Sequence, residues 1–232
     1  MIKYLGSKRL LIPALSAAAQ ELAKPGQRAL DLFSGTSRVG QALKARGFAV
    51  TSNDLTAYAA TLARCYVQAD ARQERSAAAE FLGVLAEATP VYGHFTKTWC
   101  ESSRFFHPDN GARIEGMRCR LDELNVQEPL RSVLLTALME AADRVDSTTG
   151  VQMAYLKSWA KRALKPIELR LPALLDGEGE VTQLDAAEAA RRAGSVELAY
   201  LDPPYNQHSY IGNYHVWESL TLWDQPDVYG VA

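Results

Sequence analysis

The chain has 232 residues, of which 47% are hydrophobic and 22% charged, with a formal net charge of −2. This length predicts one large domain with room for an insertion, and the balanced charge excludes a surface that is basic throughout. Three cysteines form no CxxC pair and fit no zinc-site spacing, which predicts reduced thiols in a cytoplasmic protein without a metal. We expect neither an export signal, because Pro13 interrupts the short N-terminal apolar run, nor a membrane-spanning segment.

The first predicted element is a small-residue turn, residues 4–8 (Tyr-Leu-Gly-Ser-Lys), that leads into a helix from about residue 9 to 23. Backbone amides at a helix start, together with Lys8, form an anion site. A plain helix cap is the alternative interpretation of these residues.

A buried strand is predicted over residues 28–33, followed by the turn 34–37 and a helix to about residue 46. Strand, glycine-bearing turn and helix in this order are typical of the nucleotide-binding unit of a Rossmann-like sheet. Gly35 lets the backbone approach a ligand closely. The motif lacks the full GxGxxG, which argues against a dinucleotide site.

Acidic residues end three of the other predicted strands. Asp54 follows the strand 48–51 and lies 23 residues after Asp31, a spacing typical of a ribose-binding acid, although it could equally cap the next helix. Asp185 ends the strand 180–185, which the helix 186–193 follows, and a short strand is also expected at 168–172. The buried strand 196–201 stops at Asp202-Pro203-Pro204-Tyr205, because prolines cannot continue a ladder. In open α/β sheets, ligands bind at this edge.

Residues 56–165 predict an insertion that is helical to about residue 164, because apolar residues recur there at helical spacing. Its second half is basic: residues 144–170 hold six basic side chains against two acidic ones. Hydroxyl and cationic groups suit phosphate or base-edge contacts, whereas a solvated helix face is the alternative. The candidate DNA-binding residues are Arg104, Arg144, Ser147, Thr148, Thr149, Lys157, Lys161, Arg162 and Lys165.

Three motifs in this order, residues 4–8, residues 31–36 (Asp-Leu-Phe-Ser-Gly-Thr) and residues 202–205, resemble those of the Dam-like adenine-specific DNA methyltransferases. The resemblance implies an α/β fold with a Rossmann-like methyltransferase sheet and S-adenosylmethionine as cofactor. It also implies that the cofactor is contacted by Tyr4, Lys8, Asp31, Phe33, Ser34, Gly35, Thr36, Asp54, Asp185 and Asp202, with Lys8 pairing with its carboxylate. The implied catalytic residues are Asp202, Pro203, Pro204 and Tyr205; the acid and the Pro203 carbonyl hold an exocyclic amine while the Tyr205 ring stacks on the base.

The implied reaction is methyl transfer to the exocyclic amine of a base flipped out of double-stranded DNA, with N6 of adenine favoured by Asp-Pro-Pro-Tyr. Alternatives are N4 of cytosine, an RNA or protein amide, or a non-catalytic DNA-binding subunit; a restriction endonuclease partner is left open. The implied catalytic domain comprises residues 1–55 and 166–232, and the insertion 56–165 recognises the target. Members of this family continue past the last motif with more strands, whereas one helix (about 214–223) is predicted here. We therefore expect a sheet that lacks its last strands, as in a fragment or in a chain that a second chain completes.

Overall fold

The computed structural model describes residues 2–4, 6–204 and 210–227, and a parallel sheet organises them. Its strands are β1 (Arg28–Asp31), β2 (Ala49–Asn53), β3 (Glu180–Thr182) and β4 (Leu198–Tyr200), in the order β3-β2-β1-β4. All three strand pairings are parallel, so the four carboxyl ends meet at one edge. This confirms the predicted α/β fold with a Rossmann-like sheet.

Two helices, α1 (Ile12–Leu22) and α2 (Arg38–Lys44), cover the sheet face toward which Ala29 points. The predicted start of α1 at residue 9 is wrong: a 3₁₀ turn, Lys8–Leu10, comes first, and Pro13 lies in the first α-helical turn, where no backbone N–H is needed. Helix α2 approaches the strands closely because residue 40 is glycine. A Cβ atom there would lie 2.6 Å from Ser52 Oγ and 3.1 Å from Asp31 Oδ2.

The insertion contains helices α3 (Ala57–Ala63), α4 (Ala71–Ala86), α5 (His94–Thr96), α6 (Pro108–Glu123) and α7 (Leu130–Arg144). Wider π-type turns, Arg64–Gln68 and Lys97–Ser102, extend α3 and α5. Ile114 and Met117 of α6 pack in one buried cluster with Leu138 of α7. Helices were predicted here from the apolar spacing, and the structure agrees as far as residue 144.

Beyond residue 144 the helical prediction is wrong, since residues 145–164 form turns and two isolated bridges, Phe106 with Asp146 and Thr148 with Tyr155. Side-chain oxygens replace helical backbone bonds in this segment. Thr148 Oγ1 accepts from the N–H of Gly150 at 3.0 Å, and Ser147 Oγ accepts from the N–H of Ala160 at 3.1 Å. The prediction of a strand at residues 168–172 is also wrong: these residues are irregular, Pro172 is the last of them, and Pro166 lies shortly before them.

Helix α8 (Ala186–Ala193) packs on Leu30 and Leu32, and therefore covers the sheet face opposite to α1 and α2. Helix α9 (Tyr210–Leu222) follows the last motif and packs beside α3. Strand β4 was expected to be buried, but Ala199 is exposed, because β4 forms one edge of the sheet in the part of the chain that the structure describes. In that part no helix is long and apolar enough to cross a membrane.

Candidate active site

One cavity of about 430 Å³ opens at the carboxyl edge of the sheet. Its walls come from the ends of all four strands, so Asp31, Asp54, Asp185 and Asp202 share it although they are far apart in sequence. The other predicted cofactor-binding residues line it as well: Tyr4, Lys8, Phe33, Ser34, Gly35 and Thr36. Pro204 of the last motif also lies in the wall, whereas Tyr205 falls outside the described residues.

Asp54 supports the glycine turn that forms one wall. Its carboxylate accepts from the backbone N–H of Gly35 at 2.9 Å and from the N–H of Thr56 at 3.1 Å. Gly35 has φ +50°, a left-handed conformation that favours glycine, and an added Cβ would lie 3.1 Å from Tyr4 Oη. Asp54 thus holds Thr56, the residue before α3, but does not cap the helix itself, which corrects the capping interpretation; it also lines the cavity.

Asp31 ends β1 and is 1% exposed. Its Oδ2 accepts from the N–H of Gly40 at 2.9 Å, whereas its Oδ1 is buried and finds no hydrogen-bond partner among the described residues. Burial raises the pKa of Asp31 to about 7; the charges of Asp54 and Asp202 add to this effect, and the Gly40 hydrogen bond opposes it. A cationic ligand group at Oδ1 would satisfy this acceptor.

The N-terminal turn touches the last motif through an ion pair. Lys8 Nζ lies 2.5 Å from Asp202 Oδ2, and the two side chains are 19% and 29% exposed. Asp202 therefore borders the cavity and remains accessible to a substrate. The sequence suggested Lys8 only as a partner for a cofactor carboxylate; its contact with Asp202 joins residues that no local pattern could have related.

Asn53 holds the strand ends together, a role that the sequence analysis missed. Its Nδ2 donates to the carbonyl oxygens of Leu32 at 3.2 Å and Leu184 at 3.1 Å. Its Oδ1 accepts from Thr182 Oγ1 at 2.7 Å and from the N–H of Leu184 at 3.1 Å. The ends of β1, β2 and β3 are thus fixed by one buried amide, whose only sequence signal was a polar residue closing an apolar strand.

Two further side chains in the cavity wall, Arg38 and Tyr58, were not predicted. Arg38 begins α2, and burial lowers its pKa, with the nearby Arg9 acting in the same direction. Tyr58 lies in the first turn of α3, and burial raises its pKa. Among the described lining residues, Lys8 and Arg38 are the cations beside four carboxylates, so the cavity suits a ligand with net positive charge.

The family model of the D12 class N6 adenine-specific DNA methyltransferases matches residues 4–232. The chain belongs to this family. It is 35% identical to the type II methyltransferase M.NlaIII of Neisseria lactamica, over 84% of this chain and 60% of that protein. It is 27% identical to modification methylase LlaI of Lactococcus lactis subsp. lactis and 28% identical to type II methyltransferase M.FokI of Planomicrobium okeanokoites.

These relatives are longer than this D12 class chain. The alignments with the LlaI and M.FokI enzymes cover 99% of the chain but only 40% and 38% of the relatives. The chain thus spans about half the length of the curated relatives it matches. No solved structure matches it.

Within this D12 class chain, the residues predicted to contact DNA do not share one environment. Ser147 and Thr148 are 0% and 3% exposed and bond to neighbouring groups of the insertion. Arg162 Nε donates to Asp146 at 2.7 Å, and Arg144 donates to the carbonyl oxygen of Glu168 at 2.8 Å. All four side chains are therefore bonded within the protein. For Ser147 and Thr148, which are also buried, this corrects the expectation that they present their hydroxyls to DNA.

The exposed members of the set are Arg104, Thr149, Lys157, Lys161 and Lys165. Arg104 donates to the carbonyl oxygen of Lys157, and its guanidinium lies 5.6 Å from the centre of the Trp159 ring. These contacts fix Arg104 beside Lys157, while Lys161 and Lys165 are exposed in the same segment of this D12 class chain. The described residues hold no cluster of three or more side chains suited to a metal ion.

Proposed function

We propose that this chain transfers a methyl group from S-adenosylmethionine to N6 of adenine in double-stranded DNA. The observation that carries the proposal is the common cavity of Lys8, Asp31, Asp54 and Asp202 in a chain of the D12 class family. Residues 1–55 and 166–232 would form the catalytic domain, and the insertion 56–165 would recognise the target.

The cavity fits the cofactor in size and charge. Its volume of about 430 Å³ lies within the range of small-molecule sites. S-adenosylmethionine carries a sulfonium, an ammonium and a carboxylate, and is therefore a net cation. The Oδ1 of Asp31, which has no hydrogen-bond partner among the residues described, suits the ammonium, and Lys8 suits the carboxylate.

Two acids suit the adenosine part of the cofactor. Asp54 lies at the end of β2, where Rossmann-like sheets bind a ribose hydroxyl. Asp185 lies after β3; it caps α8 by accepting from the N–H of Ala187 at 2.9 Å, and it is one of the residues that line the cavity. The resemblance implies that an acid at this position lies beside the adenine.

When bound, the cofactor supplies an electrophilic methyl group. The chain's contribution is orientation, because Asp202 and the Pro203 carbonyl accept hydrogen bonds from the amine and direct its lone pair. The same acceptors stabilise the positive charge that grows on nitrogen. Because an amine inside a duplex is out of reach, the base must leave the base stack. The role of Tyr205, to stack on the flipped base, is proposed from the motif alone.

The exposed side chains of Arg104, Thr149, Lys157, Lys161 and Lys165 are proposed to contact DNA phosphates. Arg144 and Arg162 would act there mainly by supporting the surface, since both are bonded internally. Several relatives are named modification methylases or type II methyltransferases. These names support the proposal that this chain works together with a restriction endonuclease of the same specificity.

The deciding experiment offers tritiated S-adenosylmethionine to duplex DNA, RNA and protein, with Asp202→Ala as the inactive control. Nucleoside mass spectrometry of the labelled DNA then identifies the base. N6-methyladenine supports the proposal, and N4-methylcytosine alone contradicts the base while keeping the mechanism. Label only in RNA or protein, or DNA binding without any transfer, would defeat it.

A further inference from the structure

Helix α9, which follows the last motif, is kinked at Tyr214. The backbone there has φ −138° and ψ 21°, outside the helical range. The interrupted bonds are replaced from the insertion: Gln152 Oε1 accepts from the N–H of Val216, and the N–H of Gln152 donates to the carbonyl oxygen of Asn213, both at 2.9 Å. The kink is therefore a built feature in which a buried glutamine bonds the backbone groups of Asn213 and Val216.

The kink brings the Tyr214 ring directly behind the cavity wall. Tyr214 is 1% exposed and stacks on Tyr4, with ring centroids 4.7 Å apart and planes within 10°. It also packs against Tyr58, with centroids 5.6 Å apart. Tyr4 and Tyr58 line the cavity and Tyr214 does not, so Tyr214 lies in a second layer behind both rings.

One turn further along α9, Glu218 binds the start of α3. Its carboxylate oxygens accept from the N–H groups of Ala57 and Tyr58, each at 2.9 Å. These are the first N–H groups of α3, the helix that begins just after Asp54. The hydroxyl of the N-cap residue Thr56 donates to Asp54 instead, so Glu218 provides the cap.

From these contacts we propose that Tyr214 is a positioning residue that couples cofactor binding to the start of α9. A ligand in the cavity fixes Tyr4 and Tyr58. Because stacked and close-packed rings cannot move independently, Tyr214 and the kink are fixed with them. The first turn of α9, which connects to the catalytic motif, is thereby held for the incoming base. The inference rests on the proposed function, since it requires the cofactor in this cavity.

Hydrogen–deuterium exchange of the α9 peptide, with and without saturating S-adenosylmethionine, tests the coupling. Tyr214→Phe keeps the ring, whereas Tyr214→Leu keeps apolar volume without it. We expect the cofactor to slow exchange at residues 210–213 in wild type and Tyr214→Phe, and not in Tyr214→Leu. Loss of the stack should weaken cofactor binding by about threefold to tenfold, as expected for an aromatic pair. The rate of methyl transfer at saturating cofactor should fall by a larger factor than the cofactor affinity does.

Leu222→Ala, at the exposed end of the same helix, is the matched control and should respond as wild type does. If Tyr214→Leu fails to fold, Gln152→Leu releases the kink without touching the rings and should abolish the same response. Equal slowing in the folded Tyr214→Leu protein, or no slowing in a wild type that binds the cofactor and methylates DNA, would overturn the coupling alone. A wild type that binds no cofactor in calorimetry overturns the proposed function and the coupling together.

Discussion

The carboxylate of Asp54, at the end of β2, accepts a hydrogen bond from the backbone N–H of Gly35 in the turn after β1, over 2.9 Å. One acid thus shapes the glycine turn and remains in the cavity wall. Two effects follow if its charge is removed: the turn loses its support, and the ligand loses an acceptor.

Asp54→Ala should therefore weaken S-adenosylmethionine binding by roughly 1.5–3 kcal/mol, the usual cost of losing a hydrogen bond to a charged group. Isothermal titration calorimetry measures the affinity of both proteins for the cofactor. Asp54→Asn can still accept from Gly35 and should lose less. A folded Asp54→Ala protein with wild-type affinity would contradict the ribose assignment.

Asp202→Ala should abolish methyl transfer while most cofactor affinity remains, because Asp202 is proposed to hold the amine. Single-turnover methylation and calorimetry on the same sample separate the two effects. Lys8→Ala is the complementary variant: it removes the ion pair from the opposite side and should weaken cofactor binding. Turnover that survives in Asp202→Ala would place the chemistry elsewhere.

Asp31 should make stability depend on pH. Burial raises its pKa from 3.8 to about 7, so the folded state holds an extra proton between these values. The free energy of unfolding relative to Asp31→Asn should therefore fall as pH rises from about 4 to 7, by up to about 1.4 kcal/mol per pH unit. Urea denaturation of both proteins at pH 5 and 8 measures the difference. A constant difference would show that Asp31 titrates normally.

The triple variant Lys157→Ala, Lys161→Ala and Lys165→Ala should weaken binding to all DNA sequences alike. Its salt dependence should flatten by about three in the slope of log K against log salt, one for each lost phosphate contact. Lys24, Arg191 and Arg192 are exposed on other parts of the chain, and their replacement is the matched control. An unchanged slope in the lysine triple would mean that this surface is only solvated.

Gly40→Ala should destabilise the fold by roughly 1–3 kcal/mol, because the new methyl group meets Ser52 and Asp31 at the back of the cavity. Gly83→Ala is the contrasting case. An added Cβ at Gly83, within α4, meets nothing within 4 Å and should stabilise by up to about 1 kcal/mol. Thermal unfolding of both variants tests the pair; equal melting temperatures would contradict the packing argument.

The sheet and the cavity wall were predictable because each strand carried its own local signal, an apolar run that ends in a polar residue. Parallel pairing then brings the ends together, so Asp31, Asp54 and Asp202 needed no long-range information to be grouped. The ion pair of Lys8 with Asp202 and the clamp of Gln152 on α9 depend on tertiary packing, and no local pattern encodes them.

The errors in the insertion have the same origin. Hydroxyl residues near a basic stretch predicted contacts to DNA, but Ser147 and Thr148 use those hydroxyls to organise a turn inside the protein. The apolar spacing that predicted helices to about residue 164 could not reveal that competition. Sequence composition located the basic region, and only the structure separates its exposed lysines from its bonded arginines.

The cap of α3 has a consequence for the order of events during synthesis. The N–H groups of Ala57 and Tyr58 have no cap until Glu218 leaves the ribosome, 160 residues later than Tyr58. At 5–20 residues per second this is a delay of roughly ten to thirty seconds. Strand β1 likewise meets β4 only when Leu198 has emerged. The nascent N-terminal half therefore has to persist with an open helix start and an unfinished sheet until residues 198–218 have been synthesised.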